Sequence, residues 1–307
     1  MKAIRIHAHN DTPVLEEAPI PEIAPDEILV RVQAAALNPL DGLLVSGFAA
    51  RFFDIQLPLT LASDFAGTVV RVGSAVTQWT PGDAVIAWTD AGTSGGLAEF
   101  AVAKATEAVA LPASLSAAEG AAIPTAASTA WHALFSVAKL QAGETLLIHG
   151  AAGGVGTFAV QFAHHAGARV IATASGDGLD LVRRLGADQA IDYRNQEVAT
   201  AVAGVDVVLD LVGGETQTDS YALLSEGGRL VSTAQPPDEA IARAHGVSAS
   251  ILYAKPYADR LGEVVAAVVD QGLEVVFDRH LPLAQFDEAW ERQNSRRARG
   301  KIVLSLS

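Results

Sequence analysis

Four glycines fall between residues 150 and 156, in the run Ile148-His149-Gly150-Ala151-Ala152-Gly153-Gly154-Val155-Gly156. Thr145–His149 before it is strand-like, with three aliphatic residues, and Thr157–Ala166 after it has helical character. A strand that turns into a helix over glycines opens a βαβ unit. Positions 151, 153 and 156 match the dinucleotide fingerprint G-x-G-x-x-G with alanine in the first place. A small residue at 151 permits a tight turn, Gly153 lets a pyrophosphate approach the backbone, and Gly156 lets the helix pack on the strand. The helix N-terminus then offers unpaired N–H groups and a positive dipole end to phosphate. A second strand, Arg169–Thr173, follows within the expected ~30-residue unit. No Lys-Ser/Thr pair follows the glycines, which excludes a Walker A loop.

The end of that second strand selects the dinucleotide. NAD-binding chains carry Asp or Glu there, ~20 residues past the loop, to bond the ribose 2′-hydroxyl. Here the strand runs Val170-Ile171-Ala172-Thr173-Ala174-Ser175, with no acid at its end. A carboxylate would oppose the 2′-phosphate of NADP by ~3 kcal/mol per charge pair, taking about 5 Å and an effective dielectric near 20. Ser175 is neutral and can donate a hydrogen bond. Asp177 lies in a Gly-Asp-Gly turn, where it points to solvent or caps the next helix. The reading is NADPH.

Up to about residue 120 the chain has another rhythm. Ile28–Val32, Gly67–Val72 and Ala84–Trp88 are short β-rich segments set off by Pro25-Asp26, Gly73 and Pro81-Gly82-Asp83. That punctuation suits a compact antiparallel barrel or sandwich. Beyond it, helical segments (Ala117–Ala122, Ser128–Lys139, Leu179–Leu185, Thr216–Leu224, Tyr257–Asp270) alternate with strand-like Gln189–Asp192, Asp206–Leu211 and Arg229–Thr233, as in a doubly wound parallel sheet. Lys301–Leu306 alternates like an edge strand. The expectation is an α/β chain of two domains, 1–124 completed by 271–307, and 125–270.

Composition closes off several functions. Without cysteine there is no disulfide framework, thiolate zinc site, iron–sulfur cluster or cysteine nucleophile. Twenty-one basic against 35 acidic residues give a net charge of −14, which repels nucleic-acid backbones and anionic membrane surfaces. The start MKAIRIHAHND has no apolar signal region, and no uncharged apolar run reaches membrane-spanning length. We expect a cytoplasmic protein with neither nucleic acid nor membrane as partner.

A family resemblance adds to this reading. Ala34–Asp41, Asp64–Gly73, Pro81-Gly82-Asp83, Gly95–Phe100, Thr129-Ala130-Trp131, the glycine run, Leu185–Asp188, Ile191–Arg194, Asp206–Gly214, Gly227–Ser232 and Gly300–Leu304 carry it over essentially the whole chain. In that order they resemble the zinc-free medium-chain dehydrogenase/reductases of the quinone oxidoreductase, or zeta-crystallin-like, family. The resemblance implies a GroES-like β-rich catalytic domain, a Rossmann domain and NADPH as hydride donor. It implies no metal, because Asn38 and Ser63 stand where zinc relatives carry Cys and His. It places Ala152, Gly153, Gly154, Val155 and Gly156 at the pyrophosphate, and Ser175 and Tyr193 at the 2′-phosphate. Asn38 and Thr129 would lie beside the nicotinamide, with Leu211, Val212, Gly213 and Ser232 contributing mainly through backbone. Some relatives place a lysine near the 2′-phosphate, and Gly176–Leu179 offers no match. Phe48 takes the place of a tyrosine common in the substrate pocket, so protonation falls to water rather than to a phenol.

Without a metal Lewis acid an alcohol is not acidified by coordination, whereas a quinone or conjugated carbonyl is already electrophilic. The expected activity is NADPH-dependent hydride transfer to a quinone or an α,β-unsaturated carbonyl, a small-molecule substrate. The competing reading is a catalytically idle NADPH-binding protein with a structural or partner-interaction role. Phe48 and Phe53, with Phe52, form a substrate-pocket wall or the domain core. His149 reads as a satisfied core histidine, Asp41 as a turn residue bonding backbone N–H groups, and Arg183 and Arg184, within reach of a 2′-phosphate from the helix after the second strand, as a solvated face. His164 and His165 point apart on a helix, and His7 and His9 lack a third ligand. Ala249–Lys255 has the apolar character of an edge strand that needs cover. Relatives dimerise through such strands, which implies a homodimer through Ser250–Tyr253.

Overall fold

Short alternating apolar runs turn the N-terminal stretch into strands. In the computed structural model, which describes residues 1–93, 95–253 and 260–306, these are β1 (Lys2–Ile6), β2 (Val14–Glu17), β3 (Glu27–Leu37), β4 (Leu59–Thr60), β5 (Asp64–Val72), β6 (Ala84–Trp88), β7 (Phe100–Lys104) and β8 (Ala108–Ala110). β1 pairs antiparallel with β2 and β4. β3 organises the larger sheet, pairing antiparallel with β5 and β7, and β5 leads through β6 to β8. Ile28, Val30 and Val32 of β3 pack with Phe65, Val69 and Val85 in the core of this region. Among the described residues this stretch of the chain also holds α1 (Pro39–Val45) and α2 (Ala117–Ala122), and α3 (Pro124–Trp131) follows it. α2 starts on a capping box, in which Glu119 N donates to Ser116 Oγ at 3.2 Å and Ser116 N donates to the Glu119 carboxylate at 2.7 Å.

A single helix was expected over residues 128–139, but α3 passes into a π-helical stretch, His132–Val137. The wider turn accompanies edge-on packing of Trp131 against Phe135 and Phe162, with ring centroids 4.6 and 5.1 Å apart.

The next six strands are parallel: β9 (Thr145–His149), β10 (Arg169–Ala174), β11 (Gln189–Asp192), β12 (Val205–Asp210), β13 (Leu224–Ser232) and β14 (Ser248–Ile251). Their spatial order is β11-β10-β9-β12-β13-β14, the doubly wound order with its first strand in the middle. Helices α4 (Gly154–His165), α5 (Gly178–Arg184), α6 (Val198–Ala201), α7 (Glu215–Ser220) and α8 (Glu239–Ala244) make the crossovers. Strand order reverses between β9 and β12, so their carboxyl ends form the switch point at which such sheets bind ligands.

The chain ends with α9 (Leu261–Asp270), β15 (Phe277–Pro282), α10 (Phe286–Asn294) and β16 (Lys301–Ser305). β16 is not the edge strand its alternation suggested. It lies between β3, antiparallel, and β15, parallel. Polar Asp278, Arg279 and His280 hide β15 from a pattern reading.

Contacts divide the chain into Met1–Thr125 with Pro256–Val269 and Phe277–Ser307, and Ala126–Lys255 with Asp270–Val276. This division differs from the sequence boundaries near residue 270. Gln161 of α4 accounts for the second return: its Nε2 donates to Glu274 O at 3.0 Å and its Oε1 accepts from Glu274 N at 2.7 Å. A Cβ on Gly262 of α9 would sit 3.8 Å from the Val109 side chain, within the first unit. Residues 254 and 255 of the expected edge strand, and 257–259 of the expected helix, lie outside the described residues. Among the described residues β14 pairs on one side only, at the end of its sheet. Among the described residues no helix is long and apolar enough to cross a membrane.

Candidate active site

β9 delivers the chain to the glycine run at the carboxyl end of the parallel sheet. Gly150 has φ +74°, a left-handed conformation that a side chain would strain. The tight turn assigned to residue 151 therefore falls one residue earlier. Ala151 is buried, and its N–H donates to Thr173 O at 3.2 Å. A Cβ on Gly156 would lie 2.5 Å from Gly150 O and 2.6 Å from the Ala151 backbone, so glycine sets the strand-to-helix approach there. At Gly153, the N-cap of α4, a Cβ would meet Gly150 O at 3.3 Å. Ala152, Gly153, Gly154 and Val155 are half-buried and lead into a twelve-residue helix whose first N–H groups have no intrahelical acceptor. Bare backbone, free donors and a positive dipole end fit a dinucleotide pyrophosphate.

The β10–β11 register pairs Ala174 with Asp192, which sets Ser175 and Tyr193 side by side just beyond the strands. Ser175 Oγ donates to Tyr193 Oη at 3.4 Å, and Tyr193 N donates to Ala174 O at 3.3 Å. The Ser175 hydroxyl, then Arg194, hold the Tyr193 phenol below its ordinary range against the opposing effect of burial. The phenol is 54% exposed, and the Arg194 guanidinium lies 6.0 Å from the ring centroid. The residue-by-residue sequence reading passed over Arg194. Asp177 occupies the N-cap position of α5 but makes no side-chain capping bond.

Asp210, at the carboxyl end of β12, is fully buried and fully used. Its Oδ1 accepts from Val212 N at 3.0 Å and Gly213 N at 2.8 Å, and its Oδ2 from Gln217 Nε2 at 3.0 Å and Ser232 Oγ at 2.8 Å. One carboxylate thus fixes the loop of Leu211, Val212 and Gly213 together with Ser232. His149 is buried, with Nδ1 3.3 Å from Thr173 Oγ1 and Nε2 3.0 Å from Ser220 Oγ. Burial pulls its imidazole down to about 4, so it is the neutral core histidine that was expected. Thr129 is buried in α3.

In the first unit, Asn38 precedes α1 and is buried in a charged network. Its Nδ2 donates to Asp64 Oδ2 at 2.9 Å, while its Oδ1 accepts from Lys301 Nζ. Lys301 also donates to Leu37 O at 3.0 Å and stands 3.8 Å from Asp64 Oδ2. Asp64 accepts in addition from Thr125 Oγ1 at 2.6 Å and Thr125 N at 3.2 Å. Asp41 accepts from Asn38 N at 2.8 Å and Ala62 N at 2.7 Å, the backbone-bonding role read from its turn. Burial pushes the Asp41 carboxyl up to about 6. It also raises Asp64 and lowers Lys301, and each of that pair partly offsets the other's shift. A lysine can only donate and a carboxylate only accept, so the charges on its two sides fix which way the Asn38 amide faces.

Phe48 and Phe53 do not share one setting. Phe48 is 46% exposed, with Arg51 4.9 Å over its ring and the Phe52 centroid 6.1 Å away. Phe53 packs on the small apolar cluster of Ile6, Leu44, Ala49, Leu59 and Ala91. Among the described residues no group of three or more His, Asp or Glu is placed to hold a metal ion.

Two family models match the chain: an alcohol dehydrogenase GroES-like domain over residues 24–113 and a zinc-binding dehydrogenase over 185–304. A chloroplastic quinone-oxidoreductase homolog of Spinacia oleracea is 35% identical over 306 residues, covering 94% of this chain and 92% of that protein. The structure of the Coxiella burnetii quinone oxidoreductase superposes with a TM-score of 0.92 at 31% identity, covering 100% of this chain and 99% of that one. The Escherichia coli quinone oxidoreductase complexed with NADPH gives 0.89 at 26% identity over 100% of both chains.

Proposed function

As the chain belongs to the quinone oxidoreductase family of medium-chain dehydrogenase/reductases, we propose that it is an NADPH-dependent reductase of quinones or α,β-unsaturated carbonyls. The observation that carries the cofactor is the hydroxyl pair beyond β10 and β11, Ser175 with Tyr193, where a carboxylate would select NAD. The NADPH complex of the Escherichia coli relative supports the same choice. Bound NADPH supplies a hydride.

The chain's own residues do the binding and the aiming. Backbone N–H groups of Ala152, Gly154, Val155 and Gly156 take the pyrophosphate, while Gly153, whose own N–H donates to Gly150 O at 3.0 Å, lets it approach the backbone; Ser175 and Tyr193 take the 2′-phosphate. Asp210 holds Leu211, Val212, Gly213 and Ser232 so that their backbone meets the cofactor in one arrangement. Thr129 and Asn38 orient the reacting edge. With Lys301 on its Oδ1 and Asp64 on one Nδ2–H, Asn38 keeps a second Nδ2–H for a carbonyl oxygen. A donor held in advance needs no reorganisation as charge develops. Phe48 belongs to the wall that receives the substrate, whereas Phe53 packs on the apolar cluster of Ile6 and Leu44, the domain-core alternative, and with phenylalanine at 48 the completing proton comes from water. Cytoplasmic residence, checked by cell fractionation, and a homodimer through Ser250–Tyr253, checked by light scattering, belong to the same proposal.

Purified protein is assayed for NADPH consumption with 1,4-benzoquinone and, separately, a trans-2-alkenal, with the products identified. Steady consumption and a reduced product on either substrate support the reading. Strong thermal stabilisation by NADPH with no turnover on either overturns it in favour of an idle binder.

A further inference from the structure

We propose that Arg194 is the residue by which this chain selects the 2′-phosphate, supplying the positive charge that the two neighbouring hydroxyls lack. The inference rests on the NADPH reading above. The sequence offers no lysine in residues 176–179, so a dianionic phosphate beside Ser175 and Tyr193 would otherwise meet neutral donors alone. The fold supplies a cation from the next strand instead. Ser175 follows β10, Tyr193 follows β11 in parallel register with it, and Arg194 is one residue further along a turn.

That turn is fixed by its own acid. Asp192 Oδ1 accepts from Arg194 N at 3.1 Å, its Oδ2 accepts from Asn195 Nδ2 at 2.8 Å, and Asn195 N donates to Asp192 O at 3.0 Å. The Asp192 carboxylate is therefore occupied by the turn's donors. Among the described residues the Arg194 guanidinium makes no salt bridge, whereas Arg183 and Arg184 on the adjoining helix are paired with Asp180 and Glu274. In a chain of net charge −14, an exposed arginine held by the Tyr193 ring and phenol rather than by a carboxylate keeps its other N–H donors for an incoming anion. Guanidinium geometry matches phosphate in a bidentate way, and stacking on an aromatic face pre-orients it. Asp177, exposed at the start of α5, and Asp192 are acids close in sequence to Ser175 and Arg194, and they reduce the local positive potential without cancelling a direct contact.

The test is calorimetric titration of the full-length protein with adenosine 2′,5′-bisphosphate and with 5′-AMP, which differ only in the 2′-phosphate. Arg194→Ala is expected to weaken the bisphosphate about ten- to a hundredfold, the size of a hydrogen bond to a charged group, with 5′-AMP held within about twofold. Arg194→Lys recovers part of the loss, and the wild-type preference shrinks as salt is added. An unchanged bisphosphate affinity in Arg194→Ala, or an equal loss for both ligands, overturns the proposal. A wild-type protein that binds both ligands equally overturns the NADPH reading as well. A preference for the bisphosphate that survives Arg194→Ala overturns only the role of Arg194.

Discussion

His149 is neutral in the folded chain because burial moves its imidazole from the ordinary 6.5 to about 4. Between those values the unfolded chain binds a proton that the folded chain does not. Its contribution to stability therefore rises with pH through that window, by about 3 kcal/mol in all. Asp41 has the opposite sign. Its carboxyl is lifted from 3.8 to about 6, so the folded chain holds the proton longer and stability falls as pH rises between those values. Buried Asp64 acts in the same direction as Asp41. His149→Gln is expected to leave the falling slope and Asp41→Asn the rising one, read as urea midpoints stepped across the window. Identical profiles in both variants and the wild type would contradict the assignment. Lys301→Met strips the cation from a fully buried carboxylate, and urea unfolding should show a loss of about 3–5 kcal/mol. In the sequence Lys301 was one letter of an alternating strand, and lysine is almost never fully buried without a partner. Its partners lie more than 230 residues away, beyond any local pattern. Asp41, whose bonds are within its own turn and one nearby loop, was legible for the opposite reason.

At the scale of elements, the strands of the parallel sheet were readable because aliphatic runs bounded by glycine have few alternatives. The elements misread are those whose identity depends on neighbours. β16 shows the alternation of an edge but gains a partner on each side only because polar β15 folds beside it. The helix after residue 128 widens into a π-turn around aromatic packing that no periodicity encodes. The glycine turn was legible in kind but displaced by a residue, since sequence spacing does not say which glycine takes φ +74°. Gly156→Ala tests the tightest contact in that turn. Its Cβ would press on backbone 2.5 Å away, so a cost of about 1–3 kcal/mol is expected in thermal or urea unfolding. NADPH affinity should fall with it, because the shift moves the donors of the helix N-terminus. Unchanged stability and affinity would mean the helix does not need this approach.

For the whole molecule, composition and rhythm gave two kinds of sequence, one β-rich and one alternating strand with helix, and the chain folds into two units of those kinds. What they did not give was the interleaving after residue 255, because a contact such as Gln161 with Glu274 spans 113 positions. The candidate site was legible where a motif carries its own geometry, in the glycine run and in the missing acid at Ser175. It was not legible where one buried group is held by others, as Asn38 is by Lys301 and Asp64, or where a cation arrives from the neighbouring strand, as Arg194 does. The central claim is a reductase that draws hydride from NADPH in preference to NADH. It is tested most directly by initial rates of 1,4-benzoquinone reduction with each cofactor at equal, subsaturating concentration. The account predicts turnover with NADPH and a preference over NADH of about tenfold or more. Equal rates with both, or no consumption of either, would contradict it.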